Sequence, residues 1–425
     1  MSQKHTRRDI MKVGLGGLGM LSLGGAAPLL VPKMAHAKLA AGTNVSNDNV
    51  HVVVQLSGGN DGLNTVIRPS DEYAKARPKL HLTENLHKLK DDVFLNPGLS
   101  GFKSMWDAGQ LGVVPAAGYP DANQSHFESM AIWHTADPSR SDPKGWLGHY
   151  LDHLARGTTP EAADGFGGVG GMPAVNIGAE VPQALVNEGP PVASIERLED
   201  FGLVFDDRTN FDAPVEEEII KQLLKTAPAD DPKLAYFAKQ ANNAIVNSQD
   251  IQAAANQYEP DAEYPRGLGD RMKLIARLIA GDFGTRVFYV QLGGFDTHAN
   301  QMQQHENLLR QLGDSLAAFH KDLTAKGLGG KVTTMVFSEF GRRVKQNDAQ
   351  GTDHGTAGPM FFLGDGVNGG VHAPMPDLNA EALANDNLVH QTDFRRAYAT
   401  VLDQWLNSDS KTVLRGDYEH LPLIA

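Results

Sequence analysis

Apolar, β-branched runs that end in short turns bearing acids or histidines recur along this chain, and they restrict the folds open to it. Four such turns stand out: LSGGNDG, ending in Asp61 and Gly62; GGFDTH, with Asp296 and His298; SEFGR, with Glu339 and Arg342; and TDHG, with Asp353 and His354. Runs of this kind fit strands buried on both faces, as in a parallel sheet covered by crossover helices. Ligands of open parallel sheets bind beyond the carboxyl ends of the strands, so turns distant in sequence can meet there. Carboxylates with neutral imidazoles suit a divalent ion such as zinc or manganese. The chain therefore reads first as an α/β protein with a site for one or two divalent metal ions.

The segments between these turns support that fold class. Residues 51–56 read as a buried strand, 97–109 as a helix and 111–115 as a second strand. Ser125 and Glu128 form a Ser-x-x-Glu capping box that opens another helix. Strand alternating with helix is the grammar of a parallel sheet. From about residue 141 to 265 the grammar breaks: 165–171 is nearly all glycine, Pro190-Pro191 interrupts, and 215–258 reads as two polar amphipathic helices. This stretch is expected to be a cap-like insertion. The alternation resumes with a helix near 270–280, a strand at 286–292, a helix at 301–326 and a strand at 332–337. A short strand at 360–363 and a helix at 394–406 close the domain. The expected architecture is a central, mostly parallel sheet flanked by helices.

Residues 1–37 read separately as an export signal. Arg7-Arg8 precede a weakly apolar, glycine-rich stretch, and Ala35-His36-Ala37 supplies a small-residue cleavage site. The arginine pair makes it a twin-arginine signal, handled by the twin-arginine translocase, with the mature domain at 38–425 and a periplasmic or secreted destination. The glycines and proline make a poor membrane span, so no stable membrane insertion is expected. Without that segment the chain carries 33 Lys+Arg against 50 Asp+Glu, a net charge of −17. Such a surface repels nucleic acid and anionic lipid. With no cysteine, disulfides, thiolate nucleophiles and Cys-ligated zinc are excluded.

Other motifs have plainer readings. Gly14-x-Gly16-x-x-Gly19 and Gly165-x-Gly167-x-x-Gly170 match a dinucleotide fingerprint by letter, but neither sits between a strand and a helix. There is no phosphate-binding P-loop and no Gly-x-Ser-x-Gly elbow. His149 and His153, four apart, fit an exposed helix face better than a shared metal. Ser125, at a helix N-terminus, has amides and a dipole end beside it, which suits either a cap or a nucleophile.

Taken together, these residues resemble the alkaline phosphatase-like superfamily, and within it a bacterial family of twin-arginine-exported proteins. The resemblance runs over the whole mature chain and implies hydrolysis of a small anionic ester, a phosphate or sulfate monoester. It implies Asp61 as first-strand ligand, Ser125 as nucleophile, Asp296 and His298 as the next ligand pair, Glu339 as a ligand ending a strand and His354 as the late ligand. Arg342 would hold the anionic oxygens. Phe340 stands where that superfamily has the second half of an Asp-His pair, and Asn300 where a histidine is usual; Asp353 could supply a missing ligand. A second alignment makes Asp353-His354 the pair and His372 the late ligand. Ala136 heads Ala-Asp-Pro-Ser-Arg, where sulfatases carry the residue converted to formylglycine, so that chemistry is not expected. The other reading is a non-catalytic secreted binding or assembly protein that keeps the fold and one metal.

Overall fold

The structure is a computed structural model that describes residues 48–156, 173–190, 192–196, 258–282 and 284–425. The export signal at 1–37, both dinucleotide-like glycine motifs and nearly all of the two helices expected at 215–258 lie outside the described residues. Among those described, no helix is long and apolar enough to cross a membrane.

Fourteen strands are described: β1 (Val50–Leu56), β2 (Val66–Ile67), β3 (His87–Lys90), β4 (Val93–Leu95), β5 (Leu111–Gly118), β6 (Ala174–Ile177), β7 (Val192–Ser194), β8 (Val287–Leu292), β9 (Val332–Ser338), β10 (Arg342–Gln346), β11 (Thr352–His354), β12 (Gly358–Leu363), β13 (Gly370–Val371) and β14 (Thr392–Asp393). The helices are α1 (Asp71–Ala76), α2 (Ser100–Asp107), α3 (His126–Thr135), α4 (Trp146–Arg156), α5 (Leu268–Ala280), α6 (Gln301–Ala325), α7 (Phe394–Thr400) and α8 (Ser410–Leu414). The main sheet runs β13-β5-β12-β9-β1-β8-β6-β7, with β14 also on β5. β2, β3 and β4 form a small separate sheet, and β10 and β11 a hairpin. The expected α/β class, a mostly parallel sheet between helices, is what the chain adopts.

β1 lies between β9 and β8, parallel to both. Alternation along it feeds two cores. Val52, Val54 and Leu56 pack with α2, α5 and α6, while Val53 faces the opposite layer with Trp133, Trp146 and Tyr398. Val52, Val53 and Val54 are fully buried, and each such burial stabilises by about 1.5–3 kcal/mol.

The structure adds the direction of one strand and corrects the reading of one stretch. β12 belongs to the sheet but runs antiparallel to β9 and β5, because the β10–β11 hairpin brings the chain back on the same side of the sheet. The stretch 141–265 is not wholly a cap. Its described part adds β6 and β7 to the parallel edge beside β8 and places Trp146 of α4 in a core. Four-residue and three-residue strands are too short for a periodicity to reveal.

Register decides where the polar turns go. Leu56 is level with Leu292 on one side and Ser338 on the other, so the turns after β1, β8 and β9 leave one edge together. Antiparallel β12 begins at that edge, and β5, antiparallel to it, ends there, since Gly358 pairs with Ala117. The segments leading to Ser125 and from His354 therefore arrive at the same place.

Candidate metal centre

Four side chains converge at this edge. Oδ1 of Asp296, in the turn after β8, lies 2.9 Å from Nε2 of His298, 3.2 Å from Nε2 of His354 and 3.5 Å from Nε2 of His126. The His298 and His354 Nε2 atoms are 2.9 Å apart. Donor atoms of His126, Asp296 and His354 all fall within 4.8 Å of one another. Tetrahedral zinc with bonds of about 2.0–2.1 Å needs donors about 3.3 Å apart, so the cluster is close to a ligand set.

Each imidazole is turned inward by a partner on its other nitrogen. His354 Nδ1 is 2.8 Å from the Gln124 carbonyl, which can only accept, so Nδ1 carries the proton. His126 Nδ1 is 2.8 Å from Oε1 of Glu339, and His298 Nδ1 is 3.4 Å from Oδ1 of Asp353. The Nε2 atoms of all three rings turn toward one carboxylate oxygen. His126 Nε2 is buried and has no hydrogen-bond partner among the described residues. Carboxylate- or carbonyl-backed histidines whose other nitrogens crowd a carboxylate are the usual support of a metal ligand. The donor set therefore fits a divalent ion. Phe340, buried, packs under this group, its ring centroid 4.9 Å from that of His126 and 5.0 Å from that of His354.

Charge at the cluster follows from these contacts. Partial burial pushes the Asp296 carboxyl up, but the Arg342 hydrogen bond and charge, with His354 and His298, outweigh it and bring it to about 2. The Glu339 hydrogen bond raises the His126 imidazole above its ordinary value against the opposing effect of burial. Hydrogen bonding from Asn347 holds Asp353 below the usual carboxylate range.

The sequence-derived residues divide into three groups. Asp296, His298 and His354 meet. Glu339 and Asp353 stand one step behind, each holding a histidine; Glu339 is buried and also accepts from the Gly58 amide at 2.8 Å and the Ser338 hydroxyl at 2.9 Å. Asp61 does not face the cluster's donors. It is fully buried, and its Oδ2 accepts from Arg77 Nη1 and Gln301 Nε2, both at 2.5 Å, while its Oδ1 has no hydrogen-bond partner among the described residues, so the first-strand ligand expected here is held through one oxygen in a buried ion pair.

Arg342 is likewise corrected. Its side chain is fully buried, with Nε donating to the Gly59 carbonyl at 2.7 Å and Nη1 to that of Thr352 at 2.8 Å. Nη2 donates to the carbonyls of Gly58 and Phe295 and to Asp296 Oδ1 at 2.6 Å. A guanidinium sealed among these acceptors has no face left for a substrate anion. Its grip needs a bare β1 turn: Gly58 has φ +121°, and a Cβ there would collide with the Asp296 amide.

Ser125 is exposed at the N-cap of α3, but its side chain makes no capping bond. The expected box fails because the Ser125 amide is bonded to Asn123 Oδ1 at 2.8 Å and Glu128 pairs with Arg140. The hydroxyl is thus unused, flanked by Gln124 and His126, both of which engage the cluster. His149 pairs with Asp142 and Arg415, and His372 bonds to the Asn368 carbonyl, neither joining the cluster. Asn300 is the left-handed N-cap of α6.

Sequence reasoning missed His126. Its signal was slight, one imidazole next to Ser125 with no acid or second histidine in the same turn. Gln124 acts through its backbone and left no signal at all.

A mostly parallel α/β protein with a three-histidine, one-aspartate cluster at the carboxyl edge of its central strands is thereby defined. Residues 49–416 match the family described as Protein of unknown function (DUF1501), and the chain belongs to that family. No curated protein matches it. Among solved structures it is similar to a protein in the alkaline phosphatase superfamily from Vibrio parahaemolyticus, at 8% identity and TM-score 0.33 over 85% of this chain and 69% of that one. It is also similar to the C-terminal periplasmic domain of EcEptC from Escherichia coli, in complex with Zn, at 8% identity and TM-score 0.31, covering 79% and 76%. A third is the soluble domain of lipooligosaccharide phosphoethanolamine transferase A from Neisseria meningitidis, at 11% identity and TM-score 0.31, covering 91% and 97%.

Proposed function

We propose that the chain is an exported, metal-dependent hydrolase of phosphate or sulfate monoesters that uses Ser125 as nucleophile. The observation that carries this reading is the convergence of three imidazole Nε2 atoms and the Asp296 carboxylate beside an exposed, uncapped serine. His126, His298, His354 and Asp296 would hold the ion, zinc or manganese, while Glu339, Asp353 and the Gln124 carbonyl orient the rings. When bound, the ion supplies Lewis acidity toward an ester oxygen.

The rest falls to the chain. The free amides and dipole at the start of α3 attract the anionic group of a small ester. The Ser125 hydroxyl displaces the alcohol, its proton leaving with that alcohol, and water then releases phosphate or sulfate from the serine. Asp61 and Arg342 keep structural roles in this scheme. Export through the twin-arginine translocase to the periplasm and the division into a signal at 1–37 and a domain at 38–425 are part of the same proposal.

The second reading is a secreted metal-binding protein without turnover. It is favoured by Arg342, whose donors are all occupied, which leaves the substrate anion without the expected clamp.

The test is expression of the full chain with its export signal, recovery from the periplasm and assay with aryl phosphate and aryl sulfate. The recovered N-terminus should fall near Lys38, and Ser125→Ala should abolish turnover while keeping bound metal. Because no capping bond is lost, its stability should change by less than about 0.5 kcal/mol. A metal-loaded protein that cleaves neither ester would favour the non-catalytic reading.

A further inference from the structure

We infer that the centre takes a single metal ion, and that the buried Arg342 guanidinium stands in the place of a second cation. The inference rests on the metal reading above and goes further, to the number of ions and to what replaces the other.

A second ion near the first would need its own ligands about 3.5–4 Å away. The acids around the cluster are in large part already engaged. Both sides of Glu339 are taken, by Gly58 and His126 on one oxygen and Ser338 on the other. Asp61 gives Oδ2 to Arg77 and Gln301 in a fully buried pair. Asp353 turns Oδ1 to Asn347 at 3.1 Å and His298 at 3.4 Å.

What does stand beside Asp296 is a cation belonging to the protein. Arg342 Nη2 is 2.6 Å from the same Oδ1 that the three Nε2 atoms face, and Nη1 is 3.5 Å from His298 Nε2. Its other contacts are the carbonyl oxygens of Gly58, Gly59, Phe295 and Thr352. Those oxygens with a carboxylate are the donor type that hard cations take. A guanidinium placed there neutralises Asp296 from behind and repels any second ion from the same pocket.

The experiment uses manganese and the intact protein. Titrated with Mn²⁺ and measured by elemental analysis, the protein should bind one equivalent, with the six-line electron paramagnetic resonance signal of an isolated ion. Two equivalents with a spin-coupled signal would overturn this inference and leave the metal reading standing. No bound metal would overturn the metal reading itself. Arg342→Ala, checked for folding by circular dichroism, should admit a second equivalent into the vacated oxygens. A folded variant that still binds one would remove Arg342 from the role; if it does not fold, the unmodified protein decides.

Discussion

Two aspartate–arginine pairs lie near this edge, and they behave oppositely. Asp61 and Arg77 are both fully buried, and Arg77 further bonds Asn64 and the carbonyls of Val344 and Arg343. In the other pair Arg342 is equally buried, but Asp296 is about half exposed, with histidines on its open side. An acid bound to a buried arginine is therefore no sign of a site by itself. What separates the two is whether the carboxylate has a second face, open to solvent and lined with imidazoles.

The largest expected effect comes from acid and bears on the sealed side. His305, bonded to Asn60 beside Asp61, is pushed down to about 4 by burial, as is His134; His51 and His320 fall to about 3 for the same reason. Folded-state values below the ordinary 6.5 mean that the unfolded chain takes up protons first. Their stability contribution is thus present above 6.5 and lost as pH falls toward 4 and 3. Unfolding free energies at pH 7 and about 5 should differ by roughly 2 kcal/mol for each histidine. Equal stability at the two values would break the picture of neutral, sealed imidazoles.

Next comes the pair itself. Asp61→Ala leaves the Arg77 charge buried without its partner and should cost about 3–5 kcal/mol, read by urea denaturation. The folded fraction should still bind metal. A loss under about 1 kcal/mol would mean that the two pairs are less different than their burial implies.

The smallest change in stability, with the largest in metal, belongs to the open side. Asp296→Asn should shift stability by no more than about 1 kcal/mol, yet abolish tight zinc binding in a calorimetric titration. Glu339→Gln, which only loosens the hold on His126, should weaken zinc by about 10–100-fold. If Glu339→Gln proved the more damaging of the two, Glu339 would be the ligand and Asp296 its support.

These contrasts mark how far residues could be read without coordinates. Buried strands announce themselves locally, so β1, β8 and β9 and the helices between them were legible, as were Asp296, His298 and His354 in the turns that follow. Asp61 looked the same as Asp296 in that respect, an acid in a glycine-rich turn after a buried strand. The partner that seals it, Arg77, stands sixteen residues on with no pattern to mark it. The Ser125 capping box failed for a comparable reason, since Asn123 and Arg140 compete for its two halves.

Periodicity and turn chemistry are properties of neighbouring residues, and by themselves they determined the α/β class, the edge at which chemistry collects and most of the cluster. Only the tertiary structure decided which acid faces outward, which arginine is walled in, that β12 runs antiparallel, and that His126 joins from a helix. Those outcomes depend on strand register and on which groups desolvate together across more than two hundred residues, a separation over which local patterns carry no information.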